Sequence, residues 1–302
     1  MNPYYTDYSE YLNRIFPGIK VQKISVNTGR GCPNRDGTIG TGGCIYCDNS
    51  SFTPAYCFGI RGVAEQLEAG KAFFGRKYPA MQYLAYFQSF TGTYGKDESE
   101  LRRDMETAAN EDGVVGIVIG TRPDCLDDSV LGVLSDMSRR MPVLVELGIE
   151  TLHDETLRLI NRGHDAATAL EGIRRAAQCT GHVGVHLIAG LPGENEEDIL
   201  DTLRQICAEP VDSIKLHHLQ VLRNTTMARM FADGRMQVHV YEMEEYMELC
   251  RKVISIVPRR IAIERFLASA PPGMVLMPRW GIKNYLFVNK LHALLAKTQQ
   301  SV

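Results

Sequence analysis

Two hydrophobic periods take turns along this chain. Residues 21–26, 82–87, 113–120, 143–149, 183–188 and 213–219 are short apolar or alternating runs of strand length. Between them, residues 63–74, 98–110, 127–139, 166–179 and 196–208 carry apolar positions three and four apart, the mark of one-sided helices. The run GVVGIVIG at 113–120 is apolar almost throughout, which predicts a strand covered on both faces. Helix 127–139 opens with acidic residues and closes with basic ones, the order its dipole favours. A further short helix is predicted at 154–160. Another, at 8–16, precedes the first strand, is closed by Pro17 and Gly18, and is expected to pack on the outside.

In order, the pattern gives six strand-helix units. Parallel strands joined by right-handed helical crossovers, with no G-x-G-x-x-G turn among them, predict an α/β fold. The expected form is a partial (β/α)6 TIM-like barrel, open on one side, in preference to a doubly wound sheet. Beyond Leu222 the alternation stops, leaving a long amphipathic helix at 241–256, a short strand at 261–264 and a closing helix at 284–297. No Pro/Ser-rich linker or internal repeat interrupts the chain. Residues 1–222 are therefore expected to form the barrel, and residues 223–302 a C-terminal cap packed on it.

Composition narrows the function classes only a little. With 302 residues, 44% of them hydrophobic, and a net charge of -3, the chain is an ordinary globular protein without a global electrostatic attraction to nucleic acid. The stretch MNPYYTDYSEY lacks the apolar core of a secretory signal, and no apolar run reaches membrane-spanning length, so a cytoplasmic protein is expected. There the eight cysteines stay reduced, and clustered ones read as metal ligands in preference to disulfides.

One cluster stands out. In GRGCPNRDGTIGTGGCIYCDN, Cys32, Cys44 and Cys47 lie in a glycine-rich loop directly after the first strand, where parallel barrels place their chemistry. A structural zinc site normally closes a tetrahedron with four side chains. A four-iron cluster held by three cysteines keeps one iron open for a substrate or cofactor. Cys57 is the only other cysteine near enough in sequence to compete as a fourth ligand. Tyr46, between the second and third cysteines, is either a shield for the cluster or a core anchor for the loop.

Cys32-x11-Cys44-x2-Cys47 after a strand, followed by six β/α units, resembles the radical S-adenosylmethionine superfamily. The blocks KVQKISVNTGRGCPNRDGTIGTGGCIYCDN, YFQSFTGTYG, ELGIETLHDETLRLINRGHD, HLIAGLPGE and KLHHLQVL are similar to its YhcC/YtqA-like subgroup, which is related to the catalytic subunit of elongator. The resemblance implies a [4Fe-4S] cluster on Cys32, Cys44 and Cys47 and S-adenosyl-L-methionine at the iron without a cysteine. It also implies reductive cleavage to a 5'-deoxyadenosyl radical that abstracts hydrogen from a substrate. An electron donor such as a flavodoxin or ferredoxin is implied as a partner, and a tRNA wobble uridine as a substrate.

The same resemblance assigns roles along the barrel. Gln88, Ser89 and Thr91 take the place where the family positions the methionine amino group. Glu146 and Glu150, four apart on one strand, are candidates for the ribose or methionine moiety. Arg162 is a candidate for the cofactor carboxylate, Ile188 for the apolar wall against the adenine, and Gly190 for close backbone approach to it. His186 is read as a satisfied strand histidine. Lys215 and His217, alternate residues of the sixth strand, are expected to face the substrate together. The segment ERFLASAPPGMVLMPRWGIKNYLF resembles the subgroup's terminal motif, with Ser269 and Asn224 at positions where an acidic residue and a glycine are expected. Within it Arg279, Trp280 and Lys283 are candidates to stack on and neutralise a nucleotide, unless Trp280 is a lid over the core. Two other readings stay open: a radical enzyme acting on a small molecule, and a zinc-stapled binding module using Cys57.

Overall fold

A computed structural model describes residues 2–60, 62–75, 80–95, 97–268 and 270–300; Ser269 lies outside them. In chain order the elements begin β1 (Thr6–Asp7), α1 (Tyr8–Ile15), β2 (Val21–Val26), α2 (Val63–Gly75), β3 (Gln82–Phe87), α3 (Glu98–Ala109) and β4 (Val114–Thr121). There follow α4 (Asp128–Ser138), β5 (Val143–Glu150), α5 (Asp154–Leu159), α6 (Ala166–Thr180), β6 (Val183–Ala189), α7 (Glu196–Ala208) and β7 (Ser213–His218). The C-terminal part holds β8 (Val221–Leu222), α8 (Thr226–Ala232), α9 (Met243–Ile256), β9 (Ala262–Arg265), β10 (Val275–Met277) and α10 (Asn284–Gln300).

Local chemistry sets the helix starts. Asp97, Asp127, Asp165 and Asn195 stand just before α3, α4, α6 and α7, each with its side chain accepting a backbone N–H of the first turn. At its far end α6 stops on Gly181, in the left-handed conformation with φ 69°.

The large sheet is parallel throughout, in the order β1-β9-β7-β6-β5-β4-β3-β2. Residues pointing outward from it, such as Ile24, Ala85, Ile117, Val145, Val185 and Ile214, form the main core with the helices that wrap it. This is the partial barrel expected, with strands β2 to β7 in sequence order.

Two placements differ from expectation. Helix α1 does not pack outside: Tyr11, with Phe16 just after the helix, meets Leu84, Val118 and Leu144, residues of opposite parity to the outward set, and so closes the lower end of the barrel interior. The C-terminal residues, expected as a cap, also supply β9, which enters the sheet between β7 and β1. Around it α9 lies against α7, α10 against α9, and β10 pairs antiparallel with β8. Among the described residues no helix is long and apolar enough to cross a membrane.

Candidate active site

Strand β2 delivers the chain into a loop that carries Cys32, Cys44 and Cys47 to the rim of a cavity of about 280 Å³ at the C-terminal end of the strands. The loop closes on itself through Arg35 N–H to Cys32 O (2.8 Å), Gly43 N–H to Asn34 O (2.7 Å) and Cys47 N–H to Cys44 O (3.0 Å). Gly42 and Gly43 turn it at φ 81° and 76°, conformations open to glycine at little cost. It is also bracketed from outside. Ile45 N–H donates to Ile160 O (3.0 Å), and Asn161 Nδ2 donates to Thr41 O (3.3 Å) and Gly43 O (2.9 Å).

Cys44 is buried, and its sulfur accepts from Asn34 Nδ2 at 3.7 Å and Arg162 Nη1 at 3.5 Å. Burial, helped by the neighbouring Cys44, pushes the Cys47 thiol up to about 11. Cys57 stands apart, donating to Ser25 O at 3.4 Å, and it does not line the cavity. Among the described residues no three His, Cys, Asp or Glu side chains converge on a position for one metal ion.

The loop after β3 crosses the end of β4. Gly92 N–H donates to Gly120 O at 2.8 Å, and a Cβ at Gly92 would lie 2.8 Å from that oxygen and 2.9 Å from Phe87 O, so only glycine fits. This brings Gln88, Phe90 and Thr91 to the cavity wall, with Phe90 at φ 51°. Ser89 turns away and accepts from Asn49 Nδ2 at 3.2 Å. The assignment of Ser89 to a cofactor contact is thus not supported by its placement.

Strand β5 presents Glu146 and Glu150 to the same cavity. Its pairing with β6 shifts between Gly148 and Glu150, and Glu150 sits at φ 70°, which aims its carboxylate at Arg162, 3.6 Å away. The non-glycine residues with positive φ, Phe90, Glu150 and Asn161, all lie at the cavity or at the bracket of the cysteine loop, where strained backbone is characteristic of built sites.

Glu146 is the centre of a buried network drawn from five other strands. Its carboxylate meets Lys23, Tyr86 Oη (2.6 Å), His186 Nε2 (2.9 Å) and Lys215 Nζ (2.7 Å), and Lys23 and Lys215 also reach Glu264 at 2.9 and 3.1 Å. Burial alone would raise the Glu146 carboxyl, but Lys215, Lys23 and the His186 hydrogen bond hold it well below the ordinary carboxylate range.

Here the expectation for Lys215 changes. It shares a face with His217, but only His217 lines the cavity; Lys215 is 2% exposed and ion-paired beneath it. Burial lowers the pKa values of His186 and His217, helped for His217 by Arg265 and for both by Lys215, so neutral imidazoles face the cavity. Ile188 lines the wall as expected, whereas Gly190 does not. A Cβ at Gly190 would come within 3.1 Å of His239 O and of the Tyr241 ring, so that glycine serves packing against the C-terminal segment.

Residues not anticipated from the sequence also line the cavity, among them Tyr86, Arg122, His218 and Arg265. Arg122 follows β4 directly, a position at the C-terminal end of a barrel strand that marks it as a site candidate. Trp280 is no nucleotide platform: its ring stacks on His218 at 4.3 Å and packs against the main core.

The donor set fits an iron-sulfur cluster with a polar ligand beside it. Cys32, Cys44 and Cys47 line one cavity, and Thr91 Oγ1, Arg122 Nη1 and Arg162 Nε, all on lining residues, are buried without a hydrogen-bond partner in the protein.

The sequence pattern of the radical SAM superfamily matches residues 26–206, and that of the radical SAM C-terminal domain matches residues 211–297. The protein YhcC of Escherichia coli is 39% identical over 264 residues, which covers 87% of this chain and 83% of YhcC. A tRNA uridine(34) acetyltransferase of Methanocaldococcus infernus is 25% identical over 184 residues, 60% of this chain and 33% of that protein. Among solved structures, the archaeal Elp3 of the same organism superposes with a TM-score of 0.68 at 17% identity, covering 93% of this chain and 64% of Elp3.

Proposed function

The chain belongs to the radical S-adenosylmethionine superfamily, and from that premise we propose that Cys32, Cys44 and Cys47 hold a [4Fe-4S] cluster to which S-adenosyl-L-methionine binds. The observation that carries this reading is that those cysteines line one cavity together with Thr91, Arg122 and Arg162, residues that hold buried polar atoms without a partner. With both groups bound, the cluster held by Cys32, Cys44 and Cys47 would supply one-electron reduction of the sulfonium and so hydrogen abstraction from a substrate carbon.

The chain's own residues have defined parts in this reading. Thr91 Oγ1 and Gln88 receive the methionine amino group, and Arg162 Nε offers a charged donor to its carboxylate. Glu150 accepts from a cofactor hydroxyl or ammonium, and Ile188 covers the adenine. Glu146, fully engaged by the network, fixes the floor. His217 faces the substrate as a neutral imidazole, able to accept or donate one hydrogen bond without adding charge. Lys215 acts beneath it as a positioning residue for Glu146.

The reaction needs an external reductant, and a flavodoxin or ferredoxin is the proposed donor. For the substrate we carry over the likeness to tRNA uridine(34) acetyltransferase and name the side chain of a tRNA wobble uridine. Anaerobic reconstitution with iron and sulfide analysis tests the first step: about four irons with matching sulfide and 5'-deoxyadenosine on reduction support it, and about one zinc without sulfide sinks it. Modified-nucleoside profiles of tRNA from cells with and without the protein test the substrate. An unchanged profile would turn the reading to a small molecule.

A further inference from the structure

Arg162 does more than face the cavity. Its guanidinium is buried and spans three groups at once: Nη1 donates to the Cys44 sulfur at 3.5 Å, Nη2 donates to Gly148 O, and Nη2 lies 3.6 Å from Glu150 Oε1. The backbone is shaped for this arrangement. Glu150 is held at φ 70° beside the register shift, and a Cβ on Gly148 would lie 2.8 Å from both Arg162 Nη2 and Glu150 Oε1. Any side chain at position 148 would therefore part the pair. Asn34 Nδ2, from within the cysteine loop, adds a second donor to the same sulfur at 3.7 Å.

Reduction of an iron-sulfur cluster adds negative charge that spreads onto its sulfur ligands. An N–H donor or a cation at such a sulfur stabilises the reduced form and raises the potential, and a carboxylate beside that cation withdraws part of the effect. We propose that Arg162 is a positioning residue that couples Glu150 to the Cys44 sulfur, so that the charge state of a residue in the cavity sets the reduction potential of the cluster. The proposal rests on the reading of Cys44 as a cluster ligand. A ligand group that neutralises Glu150 would leave more of the Arg162 charge to Cys44 and ease reduction, with no movement of the cysteine loop required.

The test is a potentiometric titration, followed by electron paramagnetic resonance, of the reconstituted protein and its variants. Arg162→Gln is expected to move the midpoint to a more negative value and Glu150→Gln to a more positive one. In the double variant the Glu150→Gln shift should vanish, because its route to the sulfur is gone. Shifts of the same sign, no shift, or a Glu150→Gln shift that persists undiminished without Arg162 would each overturn the coupling. General loosening of the site cannot produce opposite signs. Should Arg162→Gln take up no cluster, Gly148→Ala, which parts Arg162 from Glu150, takes its place: the Glu150→Gln rise is expected to shrink on that background, and an undiminished rise or a lowered midpoint refutes the coupling. Failure of the cluster assignment itself appears separately, as wild-type protein without iron and sulfide.

Discussion

Lys215 Nζ lies 2.7 Å from Glu146 Oε2, with both side chains almost wholly buried under the cavity. The pair joins β7 to β5 across β6, and through Lys23 and Glu264 it extends to β2 and β9. An open barrel has no hydrogen bonds closing its last strand onto its first. Here side chains span that gap from inside.

Glu146→Gln should therefore cost more than an ordinary buried substitution. It leaves Lys215 and Lys23 with Glu264 as their only carboxylate, and it puts an amide NH2 in place of one of the two oxygens that Lys23, Lys215, Tyr86 and His186 share. Breaking one side of a buried ion network typically costs about 3–5 kcal/mol, read as a fall in the urea midpoint at pH 7.5. A variant as stable as the parent would show that the network does not brace the sheet.

Acid should weaken the fold in two windows. Burial lowers the His218 imidazole to about 4, against about 6.5 in an unfolded chain. Below about pH 6.5 the unfolded chain takes up a proton that the native site resists, so this stability is intact above that pH and falls by about 3 kcal/mol as pH drops toward 4. His218→Gln should remove its own share of the acid decline seen in urea unfolding between pH 7.5 and 4.5, leaving the part that follows His164, His186 and His217, whose imidazoles burial also lowers. Glu146, held well below the usual carboxylate range, adds stability that is present above about pH 4.3 and is lost as pH falls further toward its native value.

Cys44→Ala should strip the protein of iron and sulfide, because two sulfurs do not hold a four-iron cluster against a reductant. Cys57→Ala should keep both, since its thiol is bonded to Ser25 O and lies off the cavity. Equal loss in the two variants, measured by colorimetric iron and sulfide assays, would restore Cys57 as a ligand.

Gly92→Ala places a methyl group 2.8 Å from Gly120 O and 2.9 Å from Phe87 O, and backbone cannot yield there as a flexible side chain would. The loop carrying Gln88 and Thr91 must lift. A destabilisation of about 1–3 kcal/mol should accompany at least a tenfold weaker affinity for S-adenosyl-L-methionine, measured by equilibrium dialysis on the reconstituted protein. Gly132→Ala, inside α4 where an added Cβ meets nothing within 4 Å, is the matched control: it should leave the affinity unchanged and raise stability by about 0.5–1 kcal/mol through helix propensity.

Strands β4, β5 and β6 were legible because strands covered on both faces must be mostly apolar, and β2, β3 and β7 as short alternating or aromatic runs bounded by polar loops. β1, β8 and β10 were not, since two or three residues carry no period. Parity correctly put Lys215 and His217 on one face, but parity says nothing of where the end of a long side chain goes. Lys215 is in register with His186 on β6, a residue that does line the cavity, but the lysine's ammonium is drawn off to Glu146 and Glu264. The cysteine triad was readable as a spacing in a loop; the Asn161 bracket that holds that loop was not, because it joins residues more than a hundred positions apart. Arg122 could have been found from its place just beyond β4, where the string TRPD resembles an ordinary turn.

The position of β9 has an outcome for how the chain assembles. Thr6 pairs with Ala262, and β9 in turn pairs with β7, so β1 has no neighbour in the sheet until the C-terminal region has been made. β1 is made before the other strands of this sheet, yet it is among the last of them to find a hydrogen-bond partner. Until then the edge of β7 stands open as a template for other chains. Truncation before residue 262 would not trim a lid; it would leave a nascent-like sheet with an unsealed edge and a tendency to aggregate.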